Sequence, residues 1–303
     1  MRDARACAGV VLYKPDRTLL AKQAEGLRGR ALFAFSNGPV DAEVVTALAS
    51  ADLRLIQSKE NVGLGHGLNA VADAAIRDGF SYIMLLDQDS EPGPDLLDRL
   101  TARSVELEGR GEKVAVLAPR LEPPSEGFYK PIRYEGRGSP RGDGLAALDF
   151  APTSGSLVNL AAYAEIGPFR DDFFIAGLDV EWGFRAWYCG WGSYLATELA
   201  MPHRWGEAVG AGEGGKPQIL RHSKLRNYYY ARSVVATAKL AHVPLRWRVK
   251  SCAALAAQAA VLAIKGPNGS LEPVWAGVAD GWRNRLGPAP AAELSRFLGA
   301  DHA

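Results

Sequence analysis

Cysteine is scarce in this 303-residue chain. Cys7, Cys189 and Cys252 are far apart and odd in number, and none sits in a C-x-x-C pair. That excludes a disulfide framework and a cysteine zinc site, and it points to a reducing compartment. Long apolar runs are also missing. No run reaches 18 residues, and the best candidate, Ser251–Ile264, reads as too short to span a bilayer. Residues 1–30 carry Arg2, Arg5, Lys14, Arg17 and Lys22 with only a short apolar patch between them, which is not a secretory pattern. A cytoplasmic location is the expectation. Neither G-x-G-x-x-G nor a Gly-Lys-Ser/Thr phosphate loop occurs.

One sign of charge is absent from a long stretch. Between Gly214 and Leu271 there is no Asp or Glu, but there are ten basic residues, from Lys216 and Arg221 to Lys265. The whole chain has 35 basic and 34 acidic residues, so the rest of it is net acidic. Such a basic block suits phosphate, lipid headgroups or nucleic acid, and it also suits a plain solvated helix face. Arg246, Arg248 and Lys250 precede the Ala-rich stretch Ser251–Ile264. A short helix there has the pattern of an interfacial segment, or of one packed in a core.

The remaining 48% hydrophobic content is ordinary for a globular protein. Residues 7–12, 31–35, 53–57, 81–86 and 114–117 read as strands, and 67–78 and 94–108 as helices. Alternation of this kind predicts an α/β domain with a mainly parallel sheet. Ligands then belong at the carboxyl ends of the strands. Residues 122–145 read as a long irregular loop, and the chain from about Ser223 reads as helical, broken at Pro244 and at 266–269. We place the catalytic domain at 1–215 and a basic helical region at 216–303.

Five segments carry chemistry. Asp87-Gln88-Asp89 follows an apolar strand directly. Two carboxylates so placed can hold a hard divalent cation, though a bare D-x-D is also a common polar loop. Asn61–Asn69 has glycines at 63, 65 and 67 before a helix, a pattern that lets backbone N–H groups approach phosphate or ribose, or simply a tight turn. Phe173–Arg185 sets Asp179 and Glu181 among aromatics. Glu181 and Arg185 are spaced as a helical i,i+4 pair, which leaves Asp179 as the freer carboxylate and candidate base. His203 is a candidate third metal ligand. His222–Arg232 interleaves cations and tyrosines, as phosphate or base recognition does and as a packed helix also does.

Taken together and in this order, these segments resemble the family 2 glycosyltransferases of GT-A fold, and most closely the bacterial rhamnosyltransferases of polysaccharide assembly. The resemblance runs over about residues 7–232, with a weaker echo at 277–287. It implies a GT-A-like, mainly parallel twisted sheet flanked by helices, with a helical C-terminal extension. It implies an inverting transfer from a nucleotide sugar, most of all dTDP-L-rhamnose, to a hydroxyl of a glycan or lipid-linked saccharide, with Mg²⁺ or Mn²⁺. By the same resemblance Asp87, Asp89 and His203 hold the metal and Asp179 is the base. Val11, Tyr13, Asn37, Asn61, Gly65, Asn69, Asp87, Gln88, Arg226 and Tyr229 are then on the donor side, and Ser154, Gly155, Glu181 and Trp182 on the acceptor side. Gly206 completes an H-x-x-G with His203. Ser36, Lys14 and Ser233 depart from the family's usual acid and two asparagines. Phe173, Phe174, Trp182 and Phe184 form an aromatic setting around Asp179 that suits the methyl group of rhamnose.

No nucleic-acid partner is expected. UDP- and GDP-sugars, galactofuranose among them, are the alternative donors. A sugar nucleotidyltransferase is a rival enzyme class, but residues 9–22 lack its Gly-rich loop with Arg and Lys. A non-catalytic binder of anionic ligands is the other rival.

Overall fold

The computed structural model describes residues 4–122, 134, 136–138, 142–203, 223–265 and 271–298. Gly206, Lys216 and Arg221, the boundary at 215/216, and most of the loop read at 122–145 lie outside them.

The first half is built from β1 (Ala6–Leu12), α1 (Arg17–Gly26), β2 (Ala31–Asn37), α2 (Ala42–Ala47), β3 (Asp52–Ser58), α3 (Leu64–Arg77), β4 (Tyr82–Leu86), α4 (Leu96–Gly109) and β5 (Val114–Glu122). Then come β6 (Leu145–Leu148), β7 (Ser156–Asn159), α5 (Leu160–Ile166), a 3₁₀ turn at Asp171–Phe173, α6 (Leu178–Tyr188) and β8 (Gly192–Pro202). The eight strands form one sheet in the order β3-β2-β1-β4-β7-β5-β8-β6. β7 and β6 run antiparallel to their neighbours, and the other paired strands are parallel. The expected α/β architecture is therefore present.

Side-chain alternation explains why the strands are apolar throughout. Cys7 and Val11 of β1 and Ile83 and Leu85 of β4 face one layer, with Leu68 and Val71 of α3 and Trp182 of α6. Ala8, Val10 and Leu12, with Met84 and Leu86, face the other, with Leu20 of α1 and Leu97 and Leu100 of α4. A strand covered on both faces keeps no polar side. The order reverses between β1 and β4, because β1 leads to β2 on one side while β4 returns on the other. The crevice at their carboxyl ends is the usual ligand position of such sheets.

The C-terminal region is helical: α7 (Lys224–Ala238), α8 (Leu245–Lys265), α9 (Glu272–Trp282) and α10 (Ala291–Leu298). It packs on the sheet domain through the turn at 171–174. Phe174 stacks on Tyr229 at 5.0 Å, and the buried Arg232 donates to the Phe173 carbonyl. The structure corrects one expectation here. The apolar stretch read as Ser251–Ile264 belongs to a 21-residue helix. Leu245–Ile264 is long and apolar enough to cross a membrane by length and composition, and little of it is buried. The N-terminal turn of α8, with three basic residues in six, hid that length.

Candidate active site

The D-x-D emerges where β4 ends, and its loop is held by buried partners. Gln23 of α1, fully buried, donates through Nε2 to the carbonyls of Asp87 at 2.7 Å and Ser90 at 3.1 Å. Ser90 Oγ accepts from the Asp87 N–H, and the Ser90 N–H donates to the Asp87 carbonyl. Gln88 bonds the backbone of Tyr13 in both directions, at 2.9 and 3.2 Å, and so links the loops that follow β1 and β4. Tyr13 is half exposed, with Lys14 Nζ 5.6 Å from its ring centroid.

Two further carboxyl-end segments converge on Asp87. Ser154 precedes β7 and donates its hydroxyl to Asp87 Oδ2. Its turn is fixed by the Gly155 N–H, which donates to the Leu85 carbonyl at 2.7 Å. Gly155 has φ +74°, and a Cβ there would meet Met201 at 2.7 Å. His203 follows β8, is buried, and brings Nε2 to 3.9 Å from Asp87 Oδ2. Asp87, Asp89 and His203 each offer one ligand atom, all within 4.8 Å of one another. Two carboxylates and one imidazole fit a hard or borderline divalent ion such as Mg²⁺ or Mn²⁺.

Asp179 lies in the first turn of α6, just after Gly177. Its carboxyl pKa is raised from 3.8 to about 6. Burial is the main cause, and the Asp87 charge adds to it, while the N–H groups of Val180 and of Asp179 itself pull the other way. Asp179 borders a cavity of about 10 Å³, room for roughly one water, together with Thr153, Phe169, Trp182 and Ser193. The arrangement thus sets a triad with the donor set of a metal site apart from one carboxylate of raised pKa.

The glycine segment behaves differently from its expectation. The backbone N–H groups from Val62 to Gly65 are already engaged. Those of Leu64 and Gly65 donate to the Phe174 carbonyl, at 2.6 and 3.4 Å. The Gly63 N–H goes to Asn61 Oδ1, and the Val62 N–H to Asn37 Oδ1. The close approach that the glycines permit is to protein. A Cβ on Gly63 would lie 2.7 Å from the Phe174 ring, one on Gly65 2.8 Å from Asp171, and one on Gly67 2.7 Å from Val11. Asn69 likewise binds the Phe169 N–H and carbonyl and the Tyr163 hydroxyl. This loop positions the segment leading into Asp179, and its N–H groups from Val62 to Gly65 are bonded within the protein.

Several other expected contacts are also taken up by packing. Glu181, 1% exposed, holds Arg185 through both oxygens and lies 2.9 Å from His242 Nε2, so it is a buried tether. Trp182 is buried, donates to the Gly167 carbonyl, and packs on Phe169, so only its cavity edge faces Asp179. Phe173 and Phe184 are buried as well, and Phe174 is committed to Tyr229, which removes the aromatic pocket read for a rhamnose methyl. Tyr229 points inward, and its hydroxyl accepts from the Ala289 N–H. Arg226 is exposed at the start of α7. The side chain of Val11 is buried. Gln23 went unread in the sequence, where its one signal was a polar residue among the apolar positions of α1.

No protein-family model matches the sequence, and comparison with curated proteins finds no match. Solved structures do match. The crystal structure of GalNAc-T7 with UDP, GalNAc and Mn²⁺ superposes with a TM-score of 0.55 at 10% identity, over 83% of this chain and 55% of that one. This chain therefore spans about half the length of that protein. S. aureus TarS 1–349 in complex with UDP-GlcNAc gives a TM-score of 0.53 at 12% identity, over 91% and 80% of the two chains. At these identities the likeness speaks for the fold, and the fold of this chain is that of the GT-A glycosyltransferases.

Proposed function

We propose that this protein is an inverting, metal-dependent glycosyltransferase that moves a sugar from a nucleoside-diphosphate donor to a hydroxyl of a glycan or lipid-linked saccharide. The observation that carries the reading is the convergence of Asp87, Asp89 and His203 at the carboxyl ends of parallel strands, beside the raised Asp179. The similar structures support it, since GalNAc-T7 holds UDP, GalNAc and Mn²⁺ and TarS holds UDP-GlcNAc. A divalent cation bound by the triad supplies positive charge to the donor diphosphate, where negative charge grows as the nucleotide leaves.

The chain's own groups do the rest. Gln88 fixes Tyr13 at the crevice where a nucleotide would lie, and the half-exposed ring offers a surface for its base or ribose. Ser154 and Gln23 hold the D-x-D loop in place. Asp179 takes the proton of the acceptor hydroxyl while that oxygen bonds to the anomeric carbon. The anomeric C–O bond breaks in the same step, its electron pair leaving with the nucleoside diphosphate, so the configuration inverts. A carboxyl with a pKa of about 6 is mostly ionised at neutral pH and is more basic than an ordinary aspartate.

We propose dTDP-L-rhamnose as the first donor to test, on the motif resemblance of Asp87–Ser90, Asp179–Trp182 and Arg226–Tyr229 to rhamnosyltransferases of family 2. A UDP-sugar is the second reading, favoured by the ligands of the similar structures. The cytoplasmic face of the cell membrane is the proposed location. Donor turnover, with water or a saccharide as acceptor, tests both donor readings on a panel of dTDP-, UDP- and GDP-sugars with Mg²⁺ or Mn²⁺. Fastest turnover of a UDP- or GDP-sugar removes the rhamnosyl assignment. No turnover of any donor, with no metal-dependent binding, removes the transferase reading.

A further inference from the structure

The outer faces of α8 and α9 have no part in the site, and their surface chemistry is unusual for a solvated helix. From Cys252 to Ile264 every exposed residue is Cys, Ala, Val or Ile. Gln258, the one polar residue of that span, turns inward to Asn227. A helix face in water ordinarily carries charge. Here the apolar face reaches Ile264, which is 81% exposed. α9 packs on α7, as α8 does, and exposes Trp275 and Trp282, at 62% and 74%. These two lie seven residues apart, on the flank of α9 next to Val274 and Val278. Those valines join Leu255, Ala259 and Leu262 of α8 in one apolar cluster through Ala231, Val234 and Val235 of α7, on which both helices pack.

Charge identifies the occupant. No acidic residue occurs from Gly214 to Leu271. Lys250 is exposed at the start of α8 and Arg283 just beyond Trp282, while Arg246, also exposed, is held by both oxygens of Asp149 at 2.6 and 2.7 Å and Arg285 lies 3.8 Å from Asp280. Apolar surface, rimmed by tryptophan and cations, matches an anionic lipid interface. The helix does not have the setting of a membrane span. The helices on either side of it pack backbone to backbone: a Cβ on Gly277 would meet the Tyr228 carbonyl at 2.3 Å, and one on Gly281 the Arg232 carbonyl at 2.5 Å. Both ends of α8 therefore return to one body. We propose that the exposed faces of α8 and α9 dock this protein on an anionic lipid surface, with α8 lying in the interfacial plane. Its first turn touches the catalytic layer, since Trp247 packs edge-on against Phe184 of α6 at 5.5 Å, so docking brings the site to the membrane surface.

The test is co-sedimentation of the full chain with phosphatidylcholine vesicles, with and without phosphatidylglycerol. Binding is expected with the anionic vesicles and weaker with the neutral ones. Trp275→Ala with Trp282→Ala, and separately Ala257→Glu with Ala260→Glu, are each expected to lower the bound fraction about tenfold. All four positions are exposed, so thermal unfolding and donor turnover should be unchanged and serve as folding controls. Exposed Cys252 gives a readout free of those variants: a polarity-sensitive dye on it, in a Cys189→Ser chain, should shift to the blue with anionic vesicles. Several results overturn the proposal. One is no vesicle binding and no dye shift. Another is binding that survives alkaline carbonate, which would make α8 a span. The third is a dimer by light scattering that Ala257→Glu dissolves in a chain that ignores vesicles, which would make a second copy the occupant.

Discussion

Gln88 and Tyr13 hold each other between the loops that follow β1 and β4. The Tyr13 N–H donates to Gln88 Oε1 at 2.9 Å, and Gln88 Nε2 donates to the Tyr13 carbonyl at 3.2 Å. The middle residue of the D-x-D thus fixes the first loop of the sheet and leaves the flanking carboxylates for metal. Gln88→Ala removes both bonds, at about 1 kcal/mol each. The donor KM is expected to rise roughly tenfold or more, with a smaller change in kcat. Steady-state kinetics check this, and an unchanged KM would show that Tyr13 does not meet the donor.

Asp179→Asn is expected to keep donor binding and lose turnover by about 10²–10⁴-fold. In the unaltered protein, kcat/KM should rise with pH through about 6, because the base works only when ionised. The variant should lose that limb of the profile. A comparable loss of donor affinity with the pH limb intact would assign Asp179 to binding.

The same shift makes a stability prediction of definite sign. The native carboxyl pKa, about 6, lies above its ordinary 3.8, so the folded state holds this proton more tightly than the unfolded one. The stability that goes with the protonated form is complete below about 3.8 and is lost as pH rises through about 6. Asparagine mimics the neutral form. Asp179→Asn should therefore melt higher than the unaltered protein above pH 6, by on the order of 1 kcal/mol of stability, and the gap should close on acidification. Paired melting curves across pH measure it, and a variant less stable at pH 8 would contradict the burial argument.

Gly63→Ala tests the contact between the glycine loop and Phe174, in the segment that leads into α6. Gly63 has φ +95°, and an added Cβ would lie 2.7 Å from the Phe174 ring and 2.8 Å from its carbonyl oxygen. The substitution is expected to cost more than about 1 kcal/mol, from strained backbone and lost fit together. Turnover should fall as well, since the displaced segment leads into Asp179. Denaturant unfolding with parallel kinetics reads both effects, and a neutral outcome in each would show that the contact is dispensable.

The first five strands, with α3 and α4, were legible because burial on both sheet faces leaves continuous apolar runs of strand length, whereas β6, β7, β8 and α5 were not read. α1 and α2 were not read. α1 buries only Leu20, Gln23 and Ala24, a stripe too narrow to show as periodicity, although Asp16 caps it with bonds to the Thr18 and Leu19 N–H groups. The D-x-D was visible because its two acids are adjacent to a strand end. Its nearness to His203 was not, because a separation of more than a hundred residues is closed only by the order β4-β7-β5-β8. The glycine loop shows how far local reading goes. Close approach was the right inference from three alternating glycines, but what approaches is Phe174, whose own backbone sits at φ +69°. Nothing in the sequence near residue 63 announces that partner. The aromatics near Asp179 misled for a related reason, since composition does not say whether a ring lines a pocket or fills a core.

The central claim is that Asp87, Asp89 and His203 join a divalent ion to a nucleotide-sugar donor. Calorimetric titration of dTDP- and UDP-sugars into the metal-stripped chain, with and without Mn²⁺, tests it most directly, with Asp89→Ala titrated in parallel. The account predicts donor binding that appears only with Mn²⁺ and disappears in the variant. Equal donor affinity with and without metal, or full metal-dependent binding in Asp89→Ala, would contradict it.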